Sequence, residues 1–540
     1  MKETACIVAA GKGTRSYHYP FLHKALLPLG NKAVLSRCIE SLSKGGIKKF
    51  IIALQKGEEN QIRSFLENVH SDKYMILEVL EARDGENIGP GKTLELCKEH
   101  LNCPFIALGC DTLGDFDIAL EGDWITVSKK IDWESKNLFG EYAYYDYKTN
   151  EIKRELSTQD IKDNPNTDFF SGVIGVDDYL KFWENSSKWE LKEQEKPIYA
   201  GFLNKNFKTN ILRSWIDTGS QISYKYGRSM YQEVVEPKPN QEIYIYNNKV
   251  IKFFNNTEIC NLLLRRHKLL EPHSPQISLI DEYLISYPFI EGKLLSETKE
   301  KKFIDVLLNY FEKQVNKVKS NQIIFSEFRN DCDLMWFQKL EQRINDFDAD
   351  MKLLDEIGTT NGVSVERTYK LLDQINQKKF LDACIPCFFH GDPSPENILF
   401  DNQNNLRLID PRPIFGNNNS IGDLYYELAK LDHALIVNGK LIRSNSYGYK
   451  LINGNQVKLW IEKIEEFTVF RNRIYQFCLS KNWSTKNLSL ATALTFLSIS
   501  TVHINKKYNN FLLLAGKYFL KLSIESFKKN IPINIPFYLN

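Results

Sequence analysis

The stretch A-C-I-V-A-A-G-K-G-T-R, running from Ala5 to Arg15, decides the fold of the first part of the chain. Residues 5–9 are apolar without a break, as a strand buried on both faces requires. Gly11 and Gly13 follow at once, where a backbone must leave a strand, turn toward a helix and approach a ligand closely. Outward from there, apolar or β-branched runs recur at 50–54, 75–80 and 105–108. Helical patterns fill the gaps at 33–43, 59–69 and 91–101. This alternation predicts an α/β domain built on a parallel sheet. Ligands of such sheets sit beyond the carboxyl ends of the strands, so the residues after Ala10 and Leu108 are the first candidates for a site.

A chain of 540 residues holds roughly two to four domains of ordinary size. With 43% hydrophobic and 26% charged residues it has the composition of a globular protein with real cores. Lys+Arg (70) nearly balance Asp+Glu (68), so the charge of +2 makes no case for nucleic acid or an anionic membrane as partner. Ten thinly spread cysteines suit reduced thiols, and no signal-peptide pattern follows Met1; the expectation is a cytoplasmic enzyme acting on small molecules. The longest apolar stretch, 490–502, is interrupted by Thr and Ser and is shorter than the ~20 residues of a membrane span.

The segment V-V-E-P-K-P-N-Q, 234–241, carries two prolines among polar residues. It predicts a semi-rigid connector at 235–241 between a first domain, 1–234, and a second, 242–540. After it, 242–254 reads as a hairpin turning at Asn247 and Asn248. The rest is helical in pattern except for a second β patch at 388–409, and 490–519 has the apolar spacing of a helical core.

Chemistry concentrates in two places. In the first, the N–H groups around Ala10, Gly11 and Gly13 can form an anion-binding concavity. Arg15, and Lys24 nine residues later in H-K-A-L-L-P-L, can neutralise triphosphate oxygens and an incoming phosphate. The second is F-F-H-G-D-P-S-P-E-N-I-L-F, 388–400, followed by L-R-L-I-D-P-R, 406–412. Asp392 can accept a hydroxyl proton, while Asn397 and Asp410 can offer two oxygen ligands to a Mg²⁺ that bridges ATP phosphates. A hairpin at 398–409 would bring both ligands to one edge, and His390 reads as a brace for the loop.

The first stretch resembles the signature of the sugar-phosphate and choline-phosphate nucleotidylyltransferases, roughly A-A-G-x-G-T-R … P-K-x-L-x-P. The resemblance implies a Rossmann-like nucleotidyltransferase domain over about 3–230. It places Gly89 and Gly91, in G-P-G-K-T-L, in a base-recognising loop, and Asp111 and Asp217 at two Mg²⁺-binding positions. His23 stands where the family usually has Pro, and Lys92 adds a charge to the base loop. The strand 170–177 resembles the acceptor side of the family; Lys153 and Arg154 before it read as a solvated charged face. The second constellation is similar to the aminoglycoside-phosphotransferase and choline-kinase branch of the protein-kinase-like fold. That implies a bilobal α+β domain, with Lys252 at the ATP-phosphate position and Phe289 in the hinge segment Y-P-F-I-E-G, 287–292. Asp423 is placed behind the catalytic loop, and Glu258 is the nearest candidate partner for Lys252. Pro411 and Arg412 after Asp410 point to a small-molecule substrate.

Together the two resemblances imply consecutive steps. ATP phosphorylates a small alcohol, polyol or sugar, with choline-like alcohols favoured. An NTP, with CTP favoured, is then joined to the product with release of pyrophosphate, giving an activated donor for capsule or other cell-surface decoration. A sugar kinase paired with a uridylyl- or guanylyltransferase is the alternative, followed by a nucleotide sensor with one inactive domain. The C-I-P-C pair, 384–387, lacks a second pair and reads as packing, and the aromatic run 142–147 as a strand face.

Overall fold

The computed structural model describes residues 2–11, 21–70, 74–80, 89–129, 141–189, 196–202, 206–231, 241–246, 248–319, 323–503 and 505–529. By their contacts they form two units: Met1–Thr257 with Ser278–Tyr287, and Glu258–Ile277 with Pro288–Asn540.

In the first unit Thr4–Val8 is the central strand, buried at all five residues. It pairs in parallel with Lys49–Gln55 on one side and with Phe105–Gly109 on the other; Tyr74–Leu80 continues the parallel set beyond Lys49–Gln55. Thr167–Val176 runs antiparallel to Phe105–Gly109, and further pairing extends the sheet to nine strands. The chain leaves Thr4–Val8 in one direction and reaches Phe105–Gly109 on its opposite flank. The carboxyl ends of these two strands therefore frame a crevice, the usual ligand position in an open α/β sheet. Helix Val34–Lys44 covers the sheet through Leu35, Cys38, Ile39 and Leu42, spaced three to four residues apart on one face. Gly46, with φ at +100°, takes the chain out of that helix in a conformation that an L side chain resists.

The expected hairpin is present as Gln241–Tyr246 against Lys249–Phe254, with Tyr246 opposite Lys249. Leu284–Pro288 and Ser278–Asp281 complete a four-stranded sheet. This sheet shares the core of the first unit. Tyr244 Oη donates to Leu26 O at 2.7 Å, the Ala33 N–H donates to Tyr246 Oη at 2.6 Å, and Asn31 Nδ2 donates to Ile243 O at 3.1 Å. Tyr244, Ile251 and Phe253 are fully buried with Phe65 and Leu66, each contributing roughly 1.5–3 kcal/mol of apolar burial. Of the connector expected at 235–241, only Gln241 lies among the described residues.

The second unit is mainly helical. The apolar spacing of 490–519 is realised as two packed helices, Thr485–Ile499 and Lys506–Lys529, which share a core with Lys301–Asn316, Leu424–Ile436 and Glu465–Ser480. The helical run from Phe325 to Asn345 contains a π-helical turn at Leu334–Gln338. The β patch is the hairpin Ile398–Asp401 with Leu406–Leu408, flanked by Gly292–Leu294; Pro386–Phe388 pairs separately with Ile421–Asp423. Among the described residues no helix is long and apolar enough to cross a membrane. All ten cysteines are thiols.

Candidate functional site

Each unit carries one cluster of the residues singled out above. In the first, Lys24 opens a short 3₁₀ turn, Lys24–Leu26. His23 builds that turn: its Nδ1 accepts the Ala25 N–H at 3.1 Å, and its own N–H donates to Gln61 Oε1 at 2.9 Å. A proline could do neither, which gives the departure at position 23 a local reason. Lys24 Nζ lies 3.1 Å from Asp111 Oδ2. A Cβ on Gly11 would stand 3.1 Å from the same ammonium, so the end of the first strand abuts the charge.

Asp111 comes two residues past the end of Phe105–Gly109, and Asp217 closes the strand Arg213–Asp217, whose register sets it opposite Thr112. The Thr218 N–H donates to Asp111 O at 2.8 Å, and the Gly219 N–H to Asp217 Oδ1 at 2.8 Å. A Cβ on Gly219 would lie 3.0 Å from Asp217 Oδ1 and 3.4 Å from Asp111 Oδ2, so the two carboxylates flank one glycine that leaves space between them. Tyr142 Oη donates to Asp217 Oδ2 at 3.1 Å; the aromatic run read as a strand face thus supplies a site contact. Burial opposes the charge of Lys24, yet Asp111 and, further off, Asp217 hold its proton, and its pKa is raised. Burial pushes the adjacent Cys110 thiol up to about 12 despite Lys24, so it stays neutral.

An all-oxygen pair of carboxylates already facing a cation fits a Mg²⁺ site. Gly13 and Arg15 lie outside the described residues. Gly89 has φ at +75° and precedes helix Pro90–Leu96, while a Cβ on Gly91 would come within 2.1 Å of Pro197 O. Gly91 therefore answers a packing need. Lys92 is engaged with Glu95 Oε2 at 2.9 Å, and Lys153 with Asp146 Oδ2 at 2.8 Å, in keeping with a charged face.

In the second unit the loop after Pro386–Phe388 is fixed from behind. His390 Nε2 donates to Ile409 O at 2.9 Å, which leaves Nδ1 to accept the Asp392 N–H at 3.3 Å. Burial lowers the His390 pKa to about 4, so the imidazole is neutral and braces the loop. Asn397 Nδ2 donates to Asp392 O at 2.9 Å and to Asp392 Oδ2 at 3.3 Å, so Asn397 Oδ1 remains available as a ligand atom. The Ile409 N–H donates to Asn397 O at 3.0 Å, which sets Asp410 beside Asn397. Asp410 has φ at +58°, a left-handed conformation uncommon for a non-glycine residue and frequent at functional sites. The oxygens of Asn397 and Asp410 form a donor set that suits Mg²⁺.

Asp423, placed behind the catalytic loop by the sequence, has other partners. Its carboxylate accepts from Trp336 Nε1 at 2.9 Å and from the N–H groups of Ile385 and Tyr425. Glu427, one helical turn on, takes the expected role by accepting the His390 N–H at 2.9 Å and the Gly391 N–H at 2.6 Å. Cys332, Cys384 and Asp423 bring ligand atoms within 4.8 Å of one another, but Asp423 is committed to those three hydrogen bonds. Lys252, expected with this second set, falls instead in the first unit, buried on Lys249–Phe254 with its Nζ 5.7 Å from the centre of the Tyr287 ring, because its hairpin packs into that unit's core; Phe289, in the second unit, is exposed.

Burial raises the Glu427 pKa from the ordinary 4.5 to about 7, against the pull of the two N–H donors. A carboxyl raised in the folded state adds stability below its unfolded pKa and loses that contribution as pH rises through the folded one. The second unit should therefore lose stability between pH 4.5 and about 7 through this group. Glu427→Gln should flatten that slope in thermal unfolding followed across the same range.

No protein-family profile matches the chain. Among solved structures, the CTP:phosphocholine cytidylyltransferase of Streptococcus pneumoniae is 18% identical, with a TM-score of 0.33, covering 43% of this chain and 99% of that one. The inositol-1-phosphate CTP transferase of T. maritima is 15% identical, with a TM-score of 0.34, covering 44% and 98%. A curated relative, the bifunctional IPC transferase and DIPP synthase of Aquifex aeolicus (strain VF5), is 29% identical over 144 residues. The match takes in 25% of this chain and 32% of the relative, so the chain spans about a third of that protein's length. The first unit of the chain is a domain of mixed α/β fold, and these proteins are what part of the chain is similar to.

Proposed function

We propose that the chain is a bifunctional transferase, with nucleotidylyltransferase chemistry in residues 1–234 and small-molecule kinase chemistry in residues 242–540. The observation that carries the first assignment is the meeting of Lys24, Asp111 and Asp217 at the carboxyl end of the central strand, against Gly11. An oxygen of a phosphate monoester attacks the α-phosphorus of an NTP, and pyrophosphate leaves with the electron pair of the broken P–O bond. The reaction needs no protein nucleophile; positioning and charge neutralisation suffice. Lys24 offers its ammonium to the phosphates, Gly11 gives the backbone room to approach them, and Tyr142 and Gly219 hold Asp217 in place. Asp111 and Asp217 would hold Mg²⁺, which supplies charge neutralisation when bound.

In the second unit the hydroxyl of the acceptor would give its proton to Asp392 while its oxygen attacks the γ-phosphorus of ATP and ADP leaves. Asn397 and Asp410 would hold Mg²⁺, and His390 and Glu427 fix the loop that presents Asp392. The phosphorylated product of this unit is then the acceptor of the first. CTP is the favoured NTP, because choline kinases and choline-phosphate cytidylyltransferases are members of the two families that the two halves resemble. Phosphorylated polyols join the acceptors to try. The product, a nucleoside diphosphate ester, would serve as a donor for capsule or other surface decoration.

A pyrophosphate-release screen of the four NTPs against phosphorylated alcohols, polyols and sugars tests the first assignment. An ADP-release screen of their unphosphorylated forms tests the second. We expect one acceptor skeleton to score in both screens, with CTP giving the largest pyrophosphate signal. Two different skeletons would break the link between the steps.

A further inference from the structure

A shallow cleft opens in the second unit beside the catalytic loop, and four cations line it: Lys339, Arg343, Arg412 and Lys430. Their origins are separate. Lys339 and Arg343 lie four residues apart on one face of helix Lys339–Asn345, immediately after the π-helical turn at Leu334–Gln338. π-helical turns shift the register of a helix by a residue and concentrate at functional sites. Here the turn lets Trp336 reach Asp423 while Lys339 and Arg343 face the pocket. Arg412 comes two residues after Asp410, and Lys430 comes from helix Leu424–Ile436.

The counter-charges are few. Lys430 Nζ stands 3.5 Å from Asp392 Oδ1, which ties the pocket to the loop. Arg412 Nη1 donates to Tyr426 Oη at 2.6 Å, and Arg343 Nη1 donates to Ser498 O and, at 2.7 Å, to Ser498 Oγ. Those partners are neutral. Among the described residues no carboxylate comes within ion-pair distance of Lys339, Arg343 or Arg412. The crowding shows in the titration of the group: burial first, then Arg412, Arg343 and Lys430, bring Lys339 down to about 8. Burial and then Arg412 lower Arg343 as well. Tyr426, then Asp392 and Glu427, favour the charge on Arg412, and Asp392 faces Lys430, but holding Lys339 and Arg343 half-buried beside those cations costs free energy, which a bound oxyanion offsets.

We propose that the phosphoryl acceptor of the second unit carries an oxyanion, a phosphate or a carboxylate, which Lys339, Arg343 and Arg412 seat next to Asp392. This rests on the kinase reading of that unit and sharpens it. A choline-like cation would meet four positive charges in a lining that carries no carboxylate, so the choline-like alcohol favoured from the sequence is disfavoured by the cleft. Arg343 and Arg412 are suited to grip a planar or tetrahedral oxyanion, while Lys339 adds a point charge.

The test uses the full-length protein and inorganic phosphate as the probe. Phosphate binding by calorimetry should weaken at least fivefold in Lys339→Met and in Arg343→Met, and thermal unfolding of Lys339→Met without phosphate should not fall. Using two variants keeps the test open if one of them misfolds. Phosphate binding that ignores both substitutions overturns the proposal. So does phosphate displaced from this component by Mg-ATP, because the cluster then belongs to the nucleotide. With ATP present, ADP formation should be faster with sn-glycerol 3-phosphate or D-glycerate than with glycerol or choline. The first two acceptors tell phosphate from carboxylate, and faster turnover of choline or glycerol overturns the assignment. Failure of the kinase reading looks different: Mg-ATP binding would be insensitive to Asp410→Asn, while the phosphate result still decides the anion site.

Discussion

Asp111→Ala should reduce pyrophosphate release by about 10³-fold or more and leave ADP formation within about twofold of the unsubstituted protein. Two losses combine at this position. One of the two carboxylates flanking Gly219 disappears, and Lys24 loses the partner that sits 3.1 Å from its ammonium. Burial then acts on Lys24 with less to oppose it, so its pKa should move down from its raised value. The chemistry of the second unit uses Asp392, Asn397 and Asp410, a set that shares no residue with the first. The measurement is a pair of assays on one preparation, pyrophosphate release and ADP release, with far-UV circular dichroism as the control for folding. Loss of both activities in a folded protein would refute the two-site reading.

Asp392→Asn should lower the kcat of ADP formation by about 10²–10⁴-fold with little change in the KM for ATP. The substitution keeps the size of the side chain and removes its charge and its ability to take a proton. Asn397 Nδ2 retains the Asp392 backbone carbonyl at 2.9 Å, so the ligand atom of Asn397 stays in place and nucleotide binding should survive. Lys430, 3.5 Å from the lost charge, should then shift the pocket further toward anions. Asp410→Asn separates the two roles, since it should raise the Mg²⁺ requirement and leave the proton acceptor untouched. A near-normal kcat in Asp392→Asn would reduce the loop to a structural element.

Much of this arrangement is legible in the sequence because local rules govern it. The uninterrupted apolar strand at 5–9, the helical spacing after it and the hairpin around 398–409 each depend on neighbours a few residues away. Gly11 and Asp111 stand at strand ends that such patterns mark, whereas Asp217 is singled out by the family resemblance alone. What escapes is decided by contacts across long stretches of chain. Tyr142 reaches Asp217 over 75 residues, and alternation along its strand says nothing of that partner. Asp423 and Glu427 sit on one helix start, and spacing cannot tell which carboxylate takes the loop N–H groups and which takes Trp336. The cationic face of Lys339 and Arg343 is hidden because a π-helical turn breaks the 3.6-residue period just before it.

The hairpin at 241–254 and the strands at 278–287 share a core with residues 26–33, while the helix between them belongs to the other unit. The polypeptide thus crosses from one unit to the other after Thr257, Ile277 and Tyr287. During synthesis the first unit cannot close its core until residue 287 has left the ribosome, although its nine-stranded sheet is complete by Ile211. A nascent chain arrested near residue 234 would therefore present the surfaces meant for Tyr244, Tyr246 and Ile251 to solvent, or to a chaperone.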